Sequence, residues 1–190
     1  MTNNDILRRL RYTFDLNDSN MIAIFRAAGH QATRAEISDW LKKDDDPAYQ
    51  KCKDVLMATF LNGLINQKRG KREGPQLEPE KRLTNNIIFM KLKIALDLKA
   101  EDVLSIMALV EFTMSKHELS ALFRKSNHKN YRECNDQMLR YFLNGLQIKY
   151  RDCDKSVDVS DSVEEEIEAK KDSVWSQSNN KRREKNKSKS

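Results

Sequence analysis

The sequence is poor in the residues that interrupt helices: 5 Gly and 3 Pro occur in 190 positions, too few to supply the turns of an all-β fold. Its apolar runs fall far short of the ~18–20 residues a membrane-spanning helix needs, and no basic-then-apolar segment opens the chain. A membrane partner and export are therefore not expected. Cysteine is scarce and odd in number, 3 residues at wide spacing, which argues against a disulfide framework and fits a reducing cytosol. There is no Walker loop, dinucleotide fingerprint or His-Glu-x-x-His motif, and no Cys or His pair at ligand spacing. Neither a cofactor nor a bound metal is expected. What remains is a soluble, cytoplasmic, helical protein.

The charge that is present is unevenly placed. Residues 1–151 hold 26 Lys and Arg against 19 Asp and Glu, a net +7, whereas 152–175 hold 3 against 9, a net −6. The last fifteen residues, 176–190, return to +5 with 6 basic and 1 acidic side chain. Beyond 151 the large apolar residues are few, with Val174 and Trp175 the most prominent. Such a stretch buries too little apolar surface to offset chain entropy, so 152–190 reads as a disordered, acidic-then-basic tail. Cys153 opens it, and Glu164–Ala169 has at most a transient helical tendency.

Sliding the chain on itself by 82 positions aligns 19 identical residues among the 67 pairs from position 3 to 69, with no gap. Asp15-Leu16 falls on Asp97-Leu98, Tyr49, Cys52 and Asp54 fall on Tyr131, Cys134 and Asp136, and Phe60–Leu64 falls on Phe142–Leu146. The chain is two copies of one module, 3–69 and 85–151, joined by a linker at 70–84. Each copy reads as four helices. In the first copy these are Asp5 to Asp15 with Asn4 as N-cap, a second after Asp18 or Ser19 ending at Gly29, and a third opened by the capping box Thr33-x-x-Glu36. The box recurs as Ser115-x-x-Glu118. The fourth is expected to begin at Asp46-Pro47, an N-cap followed by proline at the first helical position, and to run to Arg69. Its apolar side chains, Cys52 and Tyr49 among them, spread over more than half the circumference, which places this helix in the middle of the module. The fold class expected is all-α: two tandem four-helix modules and a tail.

Asn-Asp-Ile-Leu-Arg at 4–8, Trp40-Leu41-Lys42-Lys43 before an acidic run, Cys52-x-Asp54 and Phe60-Leu61-Asn62-Gly63-Leu64 together resemble the bacterial YehS-like family. Leu77-Glu78-Pro79-Glu80, Asn85-Asn86-Ile87-Ile88 and His128–Cys134 are similar to that family's second copy. The resemblance covers about 1–151. It implies a tandem helical domain of unknown function from the bacterial cytoplasm, and it carries over no catalytic residue.

The residues that recur in both copies, Tyr49, Cys52, Asp54, Asn62 and Gly63 with Tyr131, Cys134, Asp136, Asn144 and Gly145, are the candidate sites. Cys52 and Cys134 lie on the apolar arc, and none of His30, His117 and His128 occupies an equivalent position in both copies, so packing is the expected role of the thiols. Asp54 and Asp136 fall near apolar positions and need donors, either a neighbouring helix N-terminus or an Arg. Gly63 and Gly145 sit inside a helix, where Gly costs about 1 kcal/mol relative to Ala. Close approach of another helix, across the pair of modules, is the expected compensation. With no convergent catalytic set, the chain reads as a non-enzymatic binding or adaptor protein that holds a protein partner in the groove between its modules. The alternative is a nucleic-acid binder. The second module carries +4 against +2 for the first, so Lys116, Arg124 and Lys125, with Lys181, Arg182 and Arg183 of the tail, are the expected contacts.

Overall fold

The first helix starts earlier than its polar residues suggest. In the computed structural model, which describes residues 1–152, Thr2 rather than Asn4 is the N-cap, exchanging hydrogen bonds with Asp5 in a capping box. Helix α1 then spans Asn3–Thr13. Asn4 falls within its first turn and is buried. Helix α2, Asp18–Ala27, is capped by Asn17 instead of Asp18 or Ser19, and α3, Arg34–Leu41, opens on the expected Thr33–Glu36 box. Helix α4 spans Asp54–Arg69. The second copy repeats the order: α5 Asn85–Ala95, α6 Ala100–Ala108, α7 Lys116–Leu122 behind the Ser115–Glu118 box, and α8 Asp136–Gln147, which continues as a π-helical turn, Ile148–Asp152. Among the described residues there are eight α-helices and no strand. The fold is all-α.

The start of α4 differs from the Asp46-Pro47 reading. Residues 44–48 form turns and 49–53 are non-helical. The segment is non-helical in both copies, although 126–129 has neither the aspartates nor the proline of 44–47, and its backbone is held by partners outside it. The Gln50 N–H donates to the Asp39 carbonyl at 3.2 Å, and the Arg132 N–H donates to the Ala121 carbonyl at 3.1 Å in the second copy. Cys52 and Tyr49 therefore precede α4 and are not part of its arc.

Met1–Arg151 forms one compact unit. Phe25 packs at 5.4 Å between ring centroids against both Trp40 and Phe60, and Phe89 stacks on Phe142 at 3.9 Å. Helix α4 packs against α2 in its own module and against α5 of the other, while α8 packs against α6 and α1. The core is continuous across the modules.

The glycines explain the closest of these contacts. A Cβ on Gly63 would lie 1.9 Å from the Ile24 carbonyl oxygen, and one on Gly145 would lie 2.3 Å from that of Ile106. The approaching helix is α2 or α6 of the same module, not one across the pair. The tail readings, including Cys153, Glu164–Ala169, Val174 and Trp175, lie outside the described residues.

Candidate functional site

Two asparagines hold the segment that leads into each long helix. The Asn4 amide donates to the Trp40 and Gln50 carbonyls, both at 2.8 Å, and its oxygen accepts the Cys52 N–H at 3.0 Å. Asn86 does the same for Leu122, Arg132 and Cys134, at 2.8, 2.9 and 2.9 Å. A non-helical buried backbone must find donors and acceptors somewhere, and a primary amide supplies both kinds on one short side chain. Asn3 adds bonds to the Cys52 carbonyl and Asp54 Oδ1 (3.1 and 2.8 Å), matched by Asn85 to Cys134 and Asp136 (3.0 and 2.8 Å).

Cys52 and Cys134 are buried at the end of this segment. Burial, reinforced by the Asp54 carboxylate, pushes the Cys52 thiol up to about 12. Burial, with Asp136 and Glu133, does the same to Cys134, also to about 12. The thiolate is the nucleophile, so at neutral pH both side chains are protonated core groups.

Asp54 and Asp136 join the modules. Asp54 Oδ2 accepts the Leu83 N–H at 3.0 Å, directly before Thr84, the N-cap of α5. Asp136 accepts the Met1 amine, directly before Thr2, the N-cap of α1. Met1 and Leu83 are 82 positions apart, so each module's aspartate holds the start of the other module. Two further pairs obey the same exchange. Lys91 donates to Asn62 and Arg9 donates to Asn144, while Arg69 pairs with Asp97 at 2.6 Å and Arg151 with Asp15 at 3.2 Å. This reciprocity is that of an isologous interface, built here within one chain. The backbone hydrogen bond from Leu83, followed by the Asn3 amide, holds the Asp54 carboxyl below the usual carboxylate range; the amine and then Asn85 do so for Asp136.

Tyr49 and Tyr131 close the turns ahead of this segment, donating backbone N–H to the Asp46 and His128 carbonyls. The histidines stand apart: His30 packs on Phe25 at 5.6 Å, and His128 Nδ1 accepts the Asn130 N–H. Among the described residues no three His, Cys, Asp or Glu side chains are grouped as metal ligands.

Cavities open on the surface of the described residues. One of about 570 Å³ lies at the seam between the modules, lined by Arg8, Arg11, Tyr12, Asp15, Leu41 and Arg151. A second, about 230 Å³, lies between α4 and the linker at Asn62, Asn66, Arg69, Gln76 and Leu77. A third, about 560 Å³, belongs to the second module and brings Arg124 and Lys125 beside Ile87, Met90, Phe123 and Tyr131. Lys116 stands outside it, paired with Glu101 at 2.8 Å. Lys181, Arg182 and Arg183 lie outside the described residues.

Spacing and motif single out neither Asn3 nor Lys91, mark Asn85 and Asn86 only as part of the family resemblance, and do not reveal the Arg69–Asp97 and Arg151–Asp15 pairs. A signal existed for most of these: Asn-Asn, Asp15 and Arg69 are all identical between the copies. It gave no partner, because the partners lie in the opposite module.

The comparisons agree with the repeat. The family described as "Protein of unknown function (DUF1456)" matches twice, at 3–70 and 85–152. The "Uncharacterized protein YehS" of Escherichia coli (strain K12) is 47% identical over 150 residues, covering 78% of this chain and 96% of the relative. No solved structure matches. With two tandem copies matched and a relative this similar over nearly its whole length, the chain belongs to this YehS-like DUF1456 family.

Proposed function

We propose that this chain is a non-enzymatic binding or adaptor protein that takes a protein partner on its exposed clefts. The observation that carries the reading is a division of labour among the polar residues. Asn4, Asp15, Asp54, Asn62 and Arg69 with their counterparts, all shared by both repeats, are engaged in holding the modules to each other or in holding the segment before α4 or α8. Their chemistry is structural, and the buried thiols offer no nucleophile at neutral pH. What is left open to a partner is the set of clefts, above all the seam and the second-module groove.

The test is affinity capture with the full chain, with and without nuclease, followed by identification of what is retained. A protein retained in stoichiometric amount after nuclease supports the reading. Retention of nucleic acid alone overturns it, as does turnover of a substrate in an activity screen.

A second reading, nucleic-acid binding, is favoured by Arg124 and Lys125 on the more basic module. It requires affinity that falls steeply with salt and persists when 176–190 is removed. Lys116 contributes less to it than its charge suggests, because Glu101 neutralises it.

A further inference from the structure

The two modules share a fold but differ sharply at one place. In the first, the surface between the start of α1 and the end of α3 is bridged by Arg8. Its guanidinium donates to the Lys42 carbonyl, pairs with Asp5 and lies 4.0 Å from Asp44. At the equivalent positions the second module has Met90 for Arg8, Ile87 for Asp5 and Ser126 for Asp44. Nothing can bridge in the same way, and the groove of about 560 Å³ stands there. Its floor is apolar, with Met90 37% exposed. Its rim is basic, with Arg124 and Lys125 on the chain leaving α7. Among the described residues these two form no ion pair. The equivalent rim of module one, Lys42-Lys43, is followed by Asp44–Asp46.

We propose that this groove of the second module, between the start of α5 and the end of α7, docks an acidic segment of a partner protein that places an apolar side chain between carboxylates. An apolar floor excludes a wholly charged ligand, since burying charge without partners is costly. The free cations at the rim favour carboxylates beside the anchor and repel a basic peptide. Single-stranded nucleic acid fits less well. Its bases need open aromatic faces, and Phe123 is engaged edge-on by Phe89 at 5.5 Å, with the Lys93 ammonium 5.9 Å from its ring centre. Tyr131 alone would remain as a platform, beside the aliphatic Ile87 and Met90. The proposal rests on the binding-protein reading and names the partner chemistry at one of its clefts.

The experiment is selection of short random peptides displayed on phage against the full chain and against the triple variant Ile87→Asp, Met90→Arg, Ser126→Asp. That variant installs module one's own bridge in module two. The wild type is expected to enrich peptides with Asp or Glu flanking one large apolar residue. A labelled consensus peptide should bind the variant about ten-fold or more weakly and should perturb amide resonances of 84–90 and 122–131 in the wild type. Enrichment of basic peptides, or equal binding by a folded variant, overturns the groove assignment while leaving the binding-protein reading standing. No enrichment at all, with labelled oligo(dT) bound instead, overturns both. If the triple variant does not fold, the resonance map on the wild type decides: perturbation confined to other surfaces refutes the proposal.

Discussion

Asp54, the first residue of α4, accepts the backbone N–H of Leu83 at 3.0 Å and the Asn3 amide at 2.8 Å, so that one carboxylate ties α1 of its own module to the entry of α5 in the other. Charge-assisted hydrogen bonds of this kind are worth roughly 1.5–3 kcal/mol. Because Asp54 is only partly buried, Asp54→Ala is expected to cost about 1–2 kcal/mol at neutral pH in urea denaturation. The sign of the pH dependence follows from the lowered folded-state pKa. The contribution is complete above the unfolded value of about 3.9 and is lost as pH falls through the lower folded value. The variant and the wild type should therefore converge in acid, and a constant difference down to the acid limit would refute this role.

Gly63→Ala is expected to destabilise by about 2–3 kcal/mol, although alanine favours helix by about 1 kcal/mol. The added methyl would meet the Ile24 carbonyl at 1.9 Å, and backbone cannot rotate away as a side chain can. Gly145→Ala, with 2.3 Å to the Ile106 carbonyl, should cost less. Denaturation midpoints for the two variants check both the sign and the order.

In a Cys153→Ser background only Cys52 and Cys134 remain. Both are buried and both thiols are pushed up to about 12. A thiol reagent should modify neither in the native protein at neutral pH, and both in denaturant. Rapid native labelling of either would show that the segment before α4 or α8 opens readily.

Asn86→Ala removes an amide that satisfies three backbone groups in the second module. A loss of about 3 kcal/mol or more is expected, since unsatisfied buried groups cost roughly 1–3 kcal/mol each. The two modules share one core, so the loss should appear in the first module as well. In a Trp175→Phe background, Trp40 fluorescence reports on module one alone. Its denaturation midpoint should shift with that of the far-ultraviolet dichroism, and an unshifted Trp40 transition would mean that the modules unfold independently.

Much of the architecture is legible in the sequence. The 82-residue offset, the Thr33–Glu36 and Ser115–Glu118 boxes and the apolar periodicity are local or self-referential signals, and they define eight helices in a repeated order. Helix starts were less secure where two local signals competed. Thr2 prevailed over Asn4 because Asn4 is drawn into the core by the Trp40, Gln50 and Cys52 backbone. Asp46-Pro47 is a sound local helix start, yet the chain stays non-helical to Lys53, because backbone and amide partners distant in sequence satisfy it better than one more helical turn.

Composition, repeat and helical spacing establish that the chain is helical, that it is doubled, and that Gly63 and Gly145 mark close helix packing. Each of these follows from spacing or identity along one strand of text. Which helix approaches each glycine, that Asp54 and Asp136 each hold the opposite module, and that Arg8 bridges the surface that Met90 leaves open are set by the packing of the folded chain. These depend on residues separated by tens of positions being brought within a few ångströms. Pairing across such distances is set by how the faces pack, a property that no local pattern encodes.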